Sequence, residues 1–563
     1  MNPAYLFLCG CRKHSAAHRL RSAIILVTLI IVATTPALAT DPGSLTVWKD
    51  TCAIFEQGNE TAYTVDANAP FASIAANMTP AADFSNTTWS NAFSSLHSLM
   101  KERYAFSQWK NIDWDRLYVT WEPAVRAAEK AQDKTAYYRT IRGYLYAIPD
   151  GHVNVLPTEG DFGAKYADIG GGYGISLVQL DSGKVIVAYV ANGSAAEQAG
   201  IRYGDEVTGW NGVEIHDAIN ATPFIWAYKK PSTEEGIRIQ KTRLLTRATV
   251  GTPAMVKITY GSIPHPRILN LIAYDDRYDT LTQGTFYLGK AINDIGTDDQ
   301  LHGIRPLVSN DTVTMKTLRN GYTYIAVYEE SYEVYQPFKT AILSAIANKS
   351  PGIILDLRFN NGGDDNLAAC MAGWFVDKPV FYEYGTKYDP GSKQFTVLTE
   401  AWTQPQAIRY EGPVAVMVSP DTISSGEGVP NVFVRFGTGA VVSFYGSNGA
   451  FGMNNFQAAL PLGMYILFPD GTSLDENRII QVDSNAALTG GISPTVRVPL
   501  TEATLARAMA GEDVQLTYAM DWLDAHQAPI TTGPPATTTK KSFAGIAMVI
   551  VAVSLLVVAA KRK

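Results

Sequence analysis

Apolar and polar positions change pattern several times along the chain. The apolar run Ala23–Ala33 follows Arg12, Lys13, Arg19 and Arg21 and precedes Pro36-Ala37-Leu38-Ala39. A basic segment, a short apolar segment and an A-x-A site spell a secretory signal over 1–39; the other reading is an uncleaved anchor. Residues 40–85 carry few periodic signals and receive no assignment. From Trp89 to Ile148 apolar residues recur every three or four positions, as in Tyr118–Lys134 and Thr135–Tyr146, which predicts a helical domain over 86–160. That block closes at the turn Pro149-Asp150-Gly151.

Across 165–262 the pattern is β. Gly170–Val178 is a glycine turn leading into a strand, Lys184–Val190 is a second strand, and Gly193–Val207 holds a short helix closing at Gly200 and Gly204. Trp210-Asn211-Gly212-Val213 is a hairpin signal. The insertion Ala221–Val250 is long for such a block, which would leave a groove there partly covered. From 263 to 528 strand and helix alternate. Tyr322–Tyr328, Gly352–Arg358 and Pro413–Ser419 read as strands, and Phe338–Asn348 and Asn366–Phe375 as helices. The strands are mostly apolar, which predicts an α/β sheet buried on both faces. Asp513 is placed to cap a last helix with Leu516, Met520 and Leu523 on one face. The fold class is therefore multi-domain α/β.

The C-terminal end is different again. Residues 529–541 form a Thr/Pro stretch that cannot bury a core and reads as a stalk. Residues 542–560 are an apolar run of 19 residues closed by Lys561-Arg562-Lys563. As a helix the run is about 28 Å long, close to the thickness of a bilayer core, and it reads as a transmembrane anchor. A sorting tail that is later removed is the alternative. Either reading places the body at the cell surface, on the extracellular side.

Charge sharpens this picture. The chain of 563 residues holds 46 Lys and Arg against 53 Asp and Glu. Nine of the 46 bases lie in the two addressed ends, leaving a body with 37 against 53 acids and a net −16. No basic face is available for nucleic acid. Of the 4 cysteines, Cys9 and Cys11 belong to the signal, while Cys52 and Cys370 could pair in an oxidising space, which sequence leaves open. Seven sequons (Asn59, Asn77, Asn86, Asn192, Asn220, Asn310, Asn348) fit an exported chain.

Outside the signal the histidines are His97, His152, His216, His265, His302 and His526. None is spaced for a zinc helix and no CxxC exists, so neither a metal nor a cofactor is expected. Only His152 sits in a turn, Pro149–Val155, able to present its ring to a cleft. Asp356-Leu-Arg-Phe-Asn-Asn-Gly-Gly-Asp364 places glycines just past a buried strand, where ligands sit in open α/β sheets. Asp421-Thr-Ile-Ser-Ser-Gly-Glu-Gly428 does the same after the next strand. A serine followed by small residues suits an exposed nucleophile beside an oxyanion amide.

The 165–262 block resembles a PDZ domain, which takes a peptide C-terminus by strand addition. That resemblance implies a carboxylate loop at Gly172, Tyr173, Gly174 and Ile175. Helical block, D-G-H turn, PDZ-like block, D-L-R-x-N-x-G-G and S-x-G-E, in this order over about 89–528, resemble the tail-specific (C-terminal processing) serine peptidases, and more closely their tricorn-core branch. The resemblance implies a ClpP/crotonase-like α/β core with Ser424 as nucleophile, three positions before Glu427. Oxyanion amides would come from Ser425 and from Gly362 or Gly363, and His152 would be the general base. Gly446–Asn454 lacks the lysine of the family's lysine branch. Gly490–Thr495 lacks the late aspartate of the histidine branch, for which Asp483 is nearest in spacing and Glu476 second. The implied activity is an exported, membrane-anchored serine endopeptidase acting on proteins or peptides, through their C-termini. The alternative is a catalytically weak or inactive peptide- or ligand-binding protein on the same fold.

Overall fold

In the computed structural model the described residues are 45–56, 80–156, 159–227, 229–260, 263–288, 313–318 and 320–527. The signal segment, the stalk and the C-terminal apolar run lie outside them. Among the described residues no helix is long and apolar enough to cross a membrane.

The mostly apolar strands are indeed covered on both sides. Six strands pair in the order Val313–Thr317, Thr323–Val327, Ile353–Asp356, Val414–Met417, Ala440–Ser443 and Val496–Arg497. The first pair is antiparallel and the others are parallel. Alternate side chains face opposite cores. Ile325, Ile353, Leu355 and Val416 pack under helices Tyr332–Ala347 and Asp365–Ala372, whereas Tyr324, Ile354, Ala415 and Met417 meet helix Val514–His526. Each fully buried Ile or Leu contributes about 1.5–3 kcal/mol by leaving water.

The last helix forms as its pattern requires. Asp513 Oδ1 accepts the Leu516 N–H at 3.0 Å, and Leu516, Met520 and Leu523 all face the sheet. Asp513 has a second role. Arg358, fully buried just past the strand Ile353–Asp356, forks onto both Asp513 oxygens at 2.9 and 2.6 Å and onto Asp356 at 2.7 Å. That ion pair ties the strand end to the helix.

Residues 40–85, unassigned from sequence, contain a short strand, Thr46–Trp48, beside the hairpin Val380–Asp389 and Gln394–Thr403. A disulfide joins Cys52 to Cys370 across a sequence separation of 318, with Cα atoms 4.8 Å apart. The helical block forms as Trp89–Arg103, Trp114–Ala131 and Lys134–Tyr146. Its buried aromatics share a core with Phe456, Leu460, Ile466 and Phe468 of a second hairpin, Met453–Leu460 and Met464–Gly471. Asn154–Val155 pairs with that hairpin, Ile466 opposite Val155, and so carries the D-G-H turn onto the core.

The β block forms a sheet of order Ile263–Ile272, Pro253–Tyr260, Glu206–Trp210, Val185–Val190 and Ile175–Gln179. The hairpin signal is met: Asn211 and Gly212 both take positive φ, 51° and 81°, between paired Trp210 and Val213. The insertion 221–250 holds a helix that sequence reading did not place, Glu234–Leu245, capped by the Thr233 hydroxyl on the Gly236 N–H at 3.2 Å.

Candidate active site

Two turns meet at the C-terminal ends of the central strands. After Ile353–Asp356 the chain bends through Asn360, whose Oδ1 accepts the Gly362 N–H at 2.8 Å and whose amide donates to Glu330 Oε1 at 2.6 Å. After Val414–Met417 the second turn is pinned to the first. Thr422 Oγ donates to the Leu357 carbonyl at 2.7 Å, and the Ile423 N–H donates to the Asn360 carbonyl at 3.2 Å. Contact is so close that only glycine fits. A Cβ on Gly362 would stand 2.4 Å from Ser424 Cβ, and one on Gly426 would stand 2.2 Å from Asn360 Oδ1.

Ser424 holds a positive φ of 60°, a conformation that a non-glycine residue keeps only when its surroundings impose it. What imposes it is the Ser424 N–H bonded to the Ala450 carbonyl at 2.9 Å, with Gly362 against its Cβ. Ser424 is half-buried, and its hydroxyl makes no hydrogen bond among the described residues. Ser425, by contrast, is fully buried and donates its hydroxyl to Glu330 Oε2 at 3.1 Å. The two adjacent serines are therefore distinguished: one hydroxyl is available and the other is committed.

The D-G-H turn packs onto the same place. A Cβ on Gly151 would lie 2.6 Å from Ile423 Cδ1, beside Ser424, and 2.7 Å from Asn448 Oδ1. Asp150, which sequence reading quoted but gave no role, shapes the turn. Its Oδ1 accepts the His152 N–H at 2.8 Å, and its Oδ2 accepts the Tyr104 hydroxyl at 2.7 Å. The His152 side chain is 9% exposed, with Nδ1 3.8 Å from Asp150 Oδ1 and without a hydrogen-bond partner. Burial lowers the imidazole pKa, and Lys110 and Lys229 lower it further against the opposing pull of Asp150. The ring is thus held neutral near neutral pH, the form a general base needs.

The remaining sequence candidates separate by what their atoms touch. Glu427 is buried and faces the loop 447–450, accepting from the Ser447 hydroxyl, Gly449 N–H at 2.8 Å and Ala450 N–H at 3.0 Å. Burial pushes its pKa to about 8. It orients the loop whose Ala450 carbonyl fixes Ser424. Asp483 Oδ2 accepts from Phe451 N–H at 3.1 Å, while its buried Oδ1 has no partner. Burial holds its pKa well up, Asp150 and Glu427 add to the rise, and Lys110 opposes it. Glu476 lies away from these turns, paired with Arg435 at the surface. The Gly362 N–H is already donated to Asn360, whereas among the described residues the Gly363 and Ser425 N–H groups have no such engagement.

The Gly172–Ile175 loop is built into sheets. Gly172 pairs with Tyr274 on one side and Arg247 on the other, and Tyr173 is buried edge-on to Trp210. Ile175 begins the outermost strand of its sheet. Among the described residues no group of His, Cys, Asp or Glu could hold a metal ion.

Residues 321–498 match the model of peptidase family S41. That match spans Ser424, the Gly362–Gly363 turn, Glu427 and Asp483, but neither His152 nor the 165–262 block. Over residues 321–498 the chain is similar to peptidase family S41. It is a serine-type peptidase. The crystal structure of mature CPAF is similar in fold, with 15% identity, 78% of this chain and 95% of that chain covered, and a TM-score of 0.52. A CPAF mutant structure gives 12% identity, 79% and 99% coverage and the same TM-score of 0.52. The photosystem II D1 C-terminal processing protease aligns at 16% identity over 74% of this chain and 94% of its own, with a TM-score of 0.33, too low to carry weight. A search of curated proteins returned no match.

Proposed function

We propose that this peptidase cleaves internal peptide bonds with Ser424 as nucleophile and His152 as general base. The observation that carries the reading is Ser424 itself. Its positive φ and uncommitted hydroxyl stand against Gly362, with the His152 turn packed on the neighbouring Ile423. In the proposed cycle the His152 ring takes the Ser424 proton as Oγ bonds to the substrate carbonyl carbon. The carbonyl oxygen becomes an oxyanion, facing the Ser425 and Gly363 N–H groups. Collapse expels the amine, which receives the proton from His152, and water repeats the sequence to release the acid. Asp150 orients the His152 turn, and Asp483 is the second carboxylate of the cluster.

The β block acts in this reading as a PDZ-like selector of substrate tails. The edge strand Ile175–Gln179 and helix Glu234–Leu245 have the strand-beside-helix arrangement that PDZ domains use. The space lined by Leu177, Ile239, Thr242, Phe286 and Tyr445 is only about 20 Å³. Tail binding there therefore requires the space to widen.

Export is proposed from the signal, the sequons and the Cys52–Cys370 disulfide, a bond that persists in oxidising compartments. Retention at the membrane is proposed for the apolar run 542–560. The test is labelling of the purified ectodomain by a serine-directed fluorophosphonate. Labelling should vanish in Ser424→Ala. Labelling that survives there and is lost in Ser425→Ala moves the nucleophile by one residue, and a wild type that never labels returns the chain to the inactive, binding reading.

A further inference from the structure

One short segment, residues 229–235, touches every part of the site without belonging to any catalytic motif. Lys229 Nζ donates to Asn361 Oδ1 and to the Asp421 carbonyl at 3.0 Å. Lys230 Nζ donates to the Leu145 and Val153 carbonyls at 2.7 and 2.8 Å, holding the far side of the His152 turn. Ser232 Oγ accepts the Gly151 N–H at 2.8 Å and donates to Asn448 Oδ1 at 2.7 Å. The Asn448 amide returns to the carbonyls of Lys230 and Pro420 at 3.2 and 3.0 Å.

Lys229 is the unusual member. It is half-buried, and both of its acceptors are neutral oxygens. Withdrawing an ammonium from water onto neutral acceptors is unfavourable, and desolvation lowers its pKa to about 8 against the opposing pull of the Asp421 and Glu427 carboxylates. A neutral donor could bridge the same oxygens. The ammonium also sets a positive charge near His152.

Resting on the assignment of Ser424 as nucleophile, we propose that Lys229 is a positioning residue for catalysis. From a segment outside both, it clamps the Asn361–Gly363 turn, which carries an oxyanion amide, to the Asp421–Ser424 turn, which carries the nucleophile. Two consequences separate this from a merely structural contact. Lys229 and Asn361 act through one bond, so their effects must not add. Lys229 also faces His152 together with Asp150 of the ring's own turn and Lys110 of the helical block, so removing its charge moves the histidine titration upward.

The test compares the wild type, Lys229→Met, Asn361→Ala and the double variant, with Ser424→Ala as reference, by kcat, KM and pH dependence on a fluorogenic peptide. We expect kcat to fall on the order of 10²-fold in Lys229→Met with KM little changed, since misplacement of about an ångström has that effect. Asn361→Ala should fall similarly, the double variant no further, and the acid limb of kcat/KM should move to higher pH in Lys229→Met alone. Wild-type kcat in Lys229→Met, or losses that multiply in the double variant with an unmoved acid limb, overturn the proposal while Ser424 stands. If Lys229→Met does not fold, Asn361→Ala with undiminished kcat overturns it equally. A wild type with no Ser424-dependent turnover removes the assignment on which it rests.

Discussion

The two glycine loops at Gly170–Gly174 and Asn360–Gly363 look alike in sequence and are put to opposite uses. The first follows a largely exposed helix and the second a buried strand, yet each is backed by an arginine–aspartate pair shielded from water. Arg247 holds Asp276 at 2.7 Å behind the first, and Arg358 holds Asp356 and Asp513 at 2.7 and 2.6 Å behind the second. In the first, the main chain of Gly171 and Gly172 is paired on both sides by strands of the same chain. In the second, Gly362 approaches a serine, and the next amide is left without an engagement of its own. A glycine run thus reports that something comes close to the backbone. What comes close is decided by residues far away along the chain.

The largest expected effect tests this contrast directly. Gly362→Ala puts a Cβ 2.4 Å from Ser424 Cβ at a φ of 85°. Loss of oxyanion geometry is worth about 3 kcal/mol, so fluorophosphonate labelling should slow by 10² to 10³-fold. Gly172→Ala, whose Cβ would meet Asp276 Oδ2 at 2.3 Å, should lower Tm yet leave labelling within a few fold. Comparable loss of labelling in both variants would erase the distinction.

Next come the ion pairs. Asp513→Ala removes one of the two carboxylates that hold the buried Arg358, together with the Leu516 cap, and should cost about 3 kcal/mol, read by thermal or urea unfolding. Asp276→Ala strands Arg247 at similar cost, but the labelling of whatever remains folded should persist.

Breaking the Cys52–Cys370 bond should cost about 2–4 kcal/mol, seen as a lower Tm under reducing agent or in Cys370→Ser. The site turns are not tied by it, so labelling at 25 °C should stay near wild type.

The last comparison concerns pH. Burial raises the Glu330 carboxyl from an ordinary 4.5 to about 8, beneath Asn360 and Ser425. The folded chain retains this proton where the unfolded chain releases it. That contribution is complete below pH 4.5 and is lost as pH rises through about 8. Tm should therefore fall from pH 5 to 9, and Glu330→Gln should flatten that slope. An unchanged slope would mean that other groups dominate it.

Much of the catalytic core was legible. The runs ending at Asp356 and Ser419 are mostly apolar because both faces of those strands are covered, and Asp513 caps because a free N–H at Leu516 needs an acceptor. Ser424 and the Gly362–Gly363 turn were legible through the order of motifs. Asp150 was in view within Asp-Gly-His but carried no signal of its role, which depends on Tyr104 reaching its second oxygen. Lys229 was illegible: its partners lie 132 and 192 residues away, and nothing in Trp226–Lys230 has a period or motif. The helix Glu234–Leu245 was missed because its buried side includes Gln240, Thr242 and Arg243, so the apolar stripe that marks a helix is broken.

By itself the sequence determined which segments become most of the strands, turns and helices of the core. Those are local properties, set by side-chain period, φ preference and the geometry of a few neighbouring residues. Only the tertiary structure decided which hydroxyl remains free, which glycine amide is already engaged, which carboxylate holds a loop and which lysine joins the turns. A polar atom's role depends on which donors, acceptors and charges arrive within about 3 Å of it, and in this chain they come from more than a hundred residues away.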